Sequence, residues 1–286
     1  MMTKPEHTKD EPDQILKDTV ALLRLNLPDS FSEITLEQVV VGVFFTGVKL
    51  SNGYGGICFT PVGLIPEAAC CFTSASAMPF CGKLQGVSLD DILSYISSPA
   101  PLVRAVIISI VNALSAWFID ISPPETYHIE YEKDAFALVD EISPSLPVVV
   151  IGALWPVIHR LKERGAAYRI FELNRDALKE DELPFFVPIH EQDAVLASAG
   201  CVVMTGATLV TSTLEDLLSR IPSGIPVIIG GPTVSMIPDM LFKRGVTAIG
   251  GDLVTDPDQL LDTIMQGGSG YHFFGTSARK ILIRRR

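Results

Sequence analysis

In the second half of the chain, short continuous apolar runs alternate with segments whose apolar residues recur at helical spacing. Val148-Val-Val-Ile151 ends at Gly152, is followed by a helical pattern over 157–164 closed by Gly165, and leads to a strand pattern over 168–173. Runs buried on both faces are what a parallel sheet requires. The same alternation returns three times: strand 200–204 with a helix through Leu214, Leu217 and Leu218, strand 225–229 with helix 236–243, and strand 246–249 with helix 259–265. These are βαβ units, and they predict an α/β fold with helices on both faces of a parallel sheet.

The first half reads differently. Pro12 precedes a helical pattern over 13–25; residues 39–50 read as one strand bending at Gly42 or as two short strands; Gly53-Tyr-Gly-Gly56 turns into a further strand at 57–60. This predicts a small α+β domain. Gly55-Gly56 suits a hairpin turn or the close approach of a ligand. Residues 59–86 are loop-like, and Ser88-Leu-Asp-Asp91 has the spacing of a capping box opening a helix to about Ile96. The longest apolar stretch, 102–119, approaches the length of a membrane span, but Arg104 and Asn112 interrupt it and no basic flank orients it. A buried helix is therefore expected. The Asn112 amide must then find partners, either on neighbouring backbone or towards a cleft. Ser122-Pro-Pro-Glu-Thr126 reads as a linker and 131–138 as another helix. The expected division is a lead domain at 1–122 and a parallel-sheet domain at 123–286.

Composition narrows the partners. Of 286 residues, 48% are hydrophobic and 19% charged, with a formal net charge of -11, so a large core is expected and nucleic acid is not. The one basic cluster, Arg284-Arg285-Arg286, reads as a solvated tail. Residues 1–14 are polar and charged, unlike a secretory leader, so the expected location is cytoplasmic. Cys58, Cys70, Cys71 and Cys81 cluster without a Cys-x-x-Cys spacing, which favours reduced, buried thiols over a zinc site.

The chemistry is expected where strands end. Thr205-Gly-Ala-Thr208 follows the apolar run at 201–204 and precedes a helix, bringing hydroxyls and backbone N–H groups to the carboxyl edge of the sheet. The same hydroxyls suit helix capping. Gly230-Gly-Pro232 repeats the arrangement after the next strand, and Glu172 with Asn174 closes another. Gly152-Ala-Leu-Trp-Pro156 departs from the dinucleotide fingerprint Gly-x-Gly-x-x-Gly: Trp155 fills the pyrophosphate space and Pro156 removes an N–H. Trp155 could instead stack on a flat ligand or pack in the core. His272, in a glycine-rich aromatic loop, has no partner in the sequence. No nucleophile elbow, P-loop or His-Glu-x-x-His is present, so no catalytic residues are assigned.

Thr205-Gly-Ala-Thr-Leu-Val-Thr-Ser-Thr-Leu-Glu215, Gly230-Gly-Pro232 with Met236-Ile-Pro238, Gly250-Gly-Asp-Leu-Val-Thr-Asp-Pro257 and Phe171-Glu-Leu-Asn174 resemble the "Putative heavy-metal chelation" domain family. Val41-Gly-Val-Phe-Phe-Thr46, Gly55-Gly56 and Val111-Asn-Ala113 resemble the lead domain usually fused to it. The resemblance implies a Rossmann-like parallel-sheet C-terminal domain packed on a smaller α+β, enolase-N-like N-terminal domain, with metal chelates or their biosynthesis handled between them. It implies no metal ligands. Thr211-Ser212 stands where members commonly carry Asn-Gly.

The resulting expectation is an interdomain crevice that binds a small anionic or metal-chelating molecule. Gly152, Trp155, Glu172, Asn174, Thr205, Gly206, Thr208, Gly231 and Pro232 would line it, with Asn112 reaching in from the lead domain. A metal ion or metal chelate is the implied ligand, and self-association as a homo-oligomer is left open. The alternative is an enzyme using a nucleotide-like cofactor, S-adenosylmethionine or NAD.

Overall fold

The computed structural model describes residues 13–64, 78–122 and 125–286. It is a mixed α/β structure built on a seven-stranded, mostly parallel sheet and a small antiparallel sheet of three strands. The chain opens with α1 (Gln14–Asn26), which buries Ile15, Leu16, Val20 and Leu23 at helical spacing. Three strands follow, β1 (Leu36–Val41), β2 (Phe45–Leu50) and β3 (Gly55–Phe59), each antiparallel to the next. The short helix α2 (Leu89–Leu93) is capped as expected, with Ser88 Oγ accepting from the Asp91 N–H at 3.1 Å.

Helix α3 (Pro101–Ile121) is the apolar stretch foreseen in the sequence. It is long and apolar enough to cross a membrane, yet 89% of its apolar window is buried inside the fold. It lies against β2 and β3 closely enough to decide their sequence. A Cβ on Gly56 would sit 1.9 Å from the Ser109 carbonyl oxygen, and one on Gly55 would sit 2.9 Å from the Pro257 ring. Gly55-Gly56 thus serves neither a hairpin turn nor a ligand: both residues lie within β3 and admit neighbouring elements.

The large sheet is built from β4 (Tyr127–Tyr131), β5 (Val148–Ile151), α4 (Trp155–Glu163), β6 (Tyr168–Phe171), α5 (Gln192–Ala197), β7 (Cys201–Thr205), α6 (Ala207–Val210), α7 (Leu214–Arg220), β8 (Val227–Gly230), α8 (Asp239–Lys243), β9 (Ala248–Val254), α9 (Pro257–Met265), α10 (Gly270–Phe273) and β10 (Ala278–Arg285). The spatial order is β4-β10-β9-β8-β7-β5-β6. Strands β5 to β9 run parallel, while β10 pairs antiparallel with both β9 and β4.

Two expectations are corrected here. The helix expected at 131–138 is the end of β4, followed by a 3₁₀ segment at Ala135–Glu141. The expected solvated tail at Arg284-Arg285-Arg286 begins inside β10, where Arg284 meets Glu130 of β4 at 2.5 Å and Arg285 donates to the Phe242 carbonyl. A cross-strand carboxylate for Arg284 and a helix carbonyl for Arg285, neither visible to a linear reading, hold these two arginines in place.

Alternate residues of each parallel strand enter separate cores. Val149, Ile151, Val202, Met204, Ile229 and Ile249 join α1 and α3 in one, and Val148, Val150, Val203, Ile228 and Ala248 join α4 in the other. The first of these cores is continuous from Ile15 to Ile283, so the lead segment packs directly on the sheet.

Gly56→Ala is expected to lower the unfolding free energy by about 3 kcal/mol, because an added methyl must push β3 off the α3 backbone. Gly63→Ala, where an added Cβ meets nothing within 4 Å, is the control and should be near neutral in a urea titration.

Candidate functional site

The carboxyl ends of four parallel strands lie side by side. Ile151 is level with Phe171 and Met204, and Thr205 is level with Gly230. Backbone bonds carry the ladder into the exit loops: the Gly152 N–H donates to Phe171 O at 2.8 Å, Gly206 to Gly230 O at 2.7 Å, and Gly231 to Gly250 O at 2.9 Å. From β5 the chain crosses to β6 on one side and then returns to β7 on the other. The sheet therefore has a topological switch point between β5 and β7, where open α/β sheets leave a crevice. Gly152 and Thr205 flank it. Gly152 has φ +97°, and a Cβ there would sit 2.7 Å from Thr205 Cγ2, so only glycine lets the two exits close up.

A cleft of about 660 Å³ opens at this edge. Gly152, Glu172, Thr205, Gly206, Thr208, Gly231 and Pro232 line it together with Phe45 and Phe59 from the lead segment. Ile151, Leu154, Phe171, Leu173 and Ile189 give it largely apolar walls. The polar part is a run of threonines with a small charged group. Thr205 Oγ1 accepts from the Ala207 N–H at 3.2 Å, Thr208 Oγ1 donates to Thr205 O at 2.8 Å, and Thr211 and Thr213 share a hydroxyl contact of 2.9 Å. The turn thus uses these hydroxyls to stabilise itself, with Thr208 buried and Thr205, Thr211 and Thr213 half-buried at the cleft. Arg220 sits on the rim between Asp193 at 2.7 Å and Asp216 at 3.4 Å.

Helix α3 holds two of the exit loops. Arg104 is buried, pairs with Asp13 at 2.5 Å, and donates from Nε to Val210 O at 2.8 Å and from Nη2 to Leu209 O at 2.6 Å. A cation at the carbonyl end of α6 is the favourable arrangement for a helix terminus. Two turns further along α3, Asn112 Nδ2 contacts Ile57 O at 2.8 Å and both Pro232 O and Thr233 O at 3.1 Å. Thr233 Oγ1 in turn accepts from the Phe59 N–H at 3.1 Å. The loop after β8 is thereby tied to β3 and α3.

Three expected site residues lie elsewhere. Asn112 does not line the cleft; its Nδ2 is taken up by the carbonyls of Ile57 in β3 and of Pro232 and Thr233. Asn174 accepts from the Asp176 N–H at 3.1 Å as the cap of a 3₁₀ turn. Trp155 is 47% exposed, stacks on His159 with centroids 5.0 Å apart, and lines a separate depression with Lys179 and Tyr271. Helical spacing i, i+4 joins Trp155 to His159 and turns the ring away from the strand exits. His272 Nδ1 accepts from the Ser269 N–H at 3.0 Å, a local cap.

Among the described residues, no group of three or more His, Cys, Asp or Glu could hold a metal. Cys58 is buried, Cys81 is exposed, and Cys70 and Cys71 lie outside the described residues. Burial pushes the Cys58 thiol far up, so it is held neutral beside Thr233. Linear reading missed Arg104 and Thr233 as site-building residues. The charge inside an apolar helix was the available signal for the first, since a buried guanidinium needs partners.

A family model described as "Putative heavy-metal chelation" matches residues 134–283, and a second with the same description matches residues 26–115. An uncharacterized protein of Methanocaldococcus jannaschii is 24% identical over 198 residues, which is 67% of this chain and 70% of the relative. A crystal structure of a protein of unknown function from Pyrococcus horikoshii superposes with a TM-score of 0.70 at 20% identity, covering 95% of this chain and 98% of that one. Another of unknown function, from Desulfitobacterium hafniense, gives 0.68 at 16% identity, covering 94% and 98%. Both solved proteins belong to the family matched at 134–283. The comparisons lend no support to a nucleotide cofactor.

Replacing Asn112 tests how the Pro232 loop is held. Asn112→Ala removes the donor shared by the Ile57, Pro232 and Thr233 carbonyls, of which Pro232 O keeps Ser235 Oγ at 2.8 Å, and is expected to cost about 2 kcal/mol. Asn112→Asp should cost more, since a carboxylate would face the oxygens of Ile57, Pro232 and Thr233. Equal losses in chemical denaturation would contradict this assignment.

Proposed function

The chain belongs to the family described as "Putative heavy-metal chelation", and from that premise we propose that its cleft binds a small metal-chelating molecule, alone or with its metal. The volume, about 660 Å³, falls in the usual range for small-molecule sites. Apolar walls from Phe45, Phe59, Phe171 and Leu173 would cover the body of the molecule. Glu172 would accept from a hydroxyl or amine. Thr205 Oγ1 already accepts from the Ala207 N–H, so its O–H is the group left to donate to a carboxylate or phosphate oxygen.

The observation that carries this reading is the meeting of the Gly152, Glu172, Thr205 and Gly231 exits on one cleft in which the described residues assemble no metal-ligand set of their own. Glu172 and Asp216 are the carboxylates among the lining residues and no His or Cys joins them, so a small molecule would supply most of a metal's ligands. The cleft would thus recognise a chelator or its complex, and any chemistry would act on the chelator.

Calorimetry with zinc, nickel and ferric ions, each alone and as citrate complexes, tests the reading. Complexes are expected to bind and bare ions not to. A complex at one hundred times its dissociation constant should add about 2.7 kcal/mol of stability. The Glu172→Ala, Thr205→Ala double variant should weaken binding at least tenfold. Equal binding by that variant, or binding of bare ions only, would remove the cleft as the site.

A further inference from the structure

On the sheet face opposite α3, a second chamber of about 330 Å³ lies over β8, β9 and β10. Its floor is glycine backbone, on which Phe136 sits over Gly230 and Ala135 over Gly250. Gly230, Gly231, Gly250 and Gly251 line it, and a Cβ on Gly250 would come within 2.7 Å of Ala135 Cβ. Phe136, Tyr271 and Phe274 supply aromatic surface.

A buried charged side chain in this chamber has no partner among the described residues. Asp252 is 5% exposed, and its backbone N–H is fixed to Ser235 Oγ at 2.8 Å, yet neither carboxyl oxygen takes a hydrogen bond or an ion pair. Its cross-strand partner Lys280 turns instead to Asp134 at 3.1 Å, with its ammonium 5.6 Å from the Phe274 ring centroid. Asp134 is itself occupied by Lys280 and by the Phe136 N–H at 3.0 Å. The other titratable groups facing the chamber are Lys133, which is exposed, and Tyr271, which is 92% exposed. A nearly buried acceptor with no donor is rare in a folded protein, because burial without a partner is costly.

We propose that this chamber is a binding site for a small organic cation, a protonated amine or amidine with a short apolar body, whose N–H groups bind the Asp252 carboxylate between the Phe136 and Phe274 rings. The aromatic faces favour the cation, and the chamber's volume of about 330 Å³ accommodates its short apolar body. The pair Lys280–Asp134 closes one end and cancels its own charge. A metal ion is a poorer occupant, because no third ligating side chain joins the two carboxylates among the described residues.

Burial pushes the Asp252 carboxyl up to about 7, against the lowering effect of Lys280. The ionised form is the one that binds a cation. Affinity should therefore rise as pH increases through neutrality, with a proton released on binding where the free carboxyl is still protonated.

Benzamidine is the probe, with benzyl alcohol as the neutral control of similar size. Calorimetry at pH 6, 7 and 8 in two buffers of different ionisation heat should show binding that strengthens at least tenfold from pH 6 to pH 8, with buffer-dependent heat from proton release at pH 6. Asp252→Asn, which keeps the shape, should lose at least tenfold in affinity and all of the pH dependence, while benzyl alcohol should not bind. Carbon NMR of the Asp252 carboxyl in the unaltered protein gives a second readout independent of any variant, and its titration midpoint should fall when benzamidine is added. No binding at pH 8, equal binding by Asp252→Asn, or an unmoved midpoint would overturn the proposal.

Discussion

A single buried guanidinium sets the shape of the cleft. Arg104 sits on the long apolar helix α3, and its charge is compensated by Asp13 and by the two carbonyls that end α6. Desolvating such a group is unfavourable unless acceptors surround it: here Nε and Nη2 are hydrogen-bonded to the α6 carbonyls, and Nη1 meets Asp13 as an ion pair. Because those acceptors belong to the turn after Thr205, satisfying the arginine also fixes the turn. Asn112 repeats the arrangement two turns later for the loop after β8. The two polar interruptions of α3 thus hold two strand exits from behind, leaving their front surfaces to the cleft.

This arrangement explains why the lead segment and the sheet share a core rather than meeting at a thin boundary. The exits of parallel strands do not close a pocket by themselves. Here Phe45 and Phe59 complete the wall, and Gly56 lets β3 approach α3 until Thr233 can accept from the Phe59 backbone. The chamber over β9 depends on different features: glycines of β8, of the loop after it and of β9, and a carboxyl without a donor. Gly231 and Pro232 border both spaces, so one loop carries the wall between them.

Much of the fold was legible in the sequence because parallel strands buried on both faces leave continuous apolar runs, such as 148–151 and 201–204. Strands β4 and β10 were not legible. Their alternation carries Glu130, Arg279, Lys280, Arg284 and Arg285, charges tolerated because each meets a partner across the ladder or an aromatic ring. In the candidate site, residues next to strand ends could be anticipated, since Gly152, Glu172, Thr205 and Gly231 follow apolar runs directly. Asn112, Asn174 and Trp155 could not be placed, because local helical or turn geometry and a distant loop decide where their side chains point. The reach of Arg104 to carbonyls more than one hundred residues away is a tertiary fact that no local pattern encodes.

The most direct measurement of this account is amide hydrogen exchange in the Arg104→Met protein. Removing the guanidinium while keeping the apolar stem should speed exchange at Thr211 and Thr213, whose N–H groups close the α6 turn, by at least tenfold, about 1.4 kcal/mol. Amides of Val202 and Val203 within β7 should change much less. Unchanged exchange at Thr211 and Thr213, or an equal rise throughout the sheet, would contradict the claim that Arg104 holds the turn.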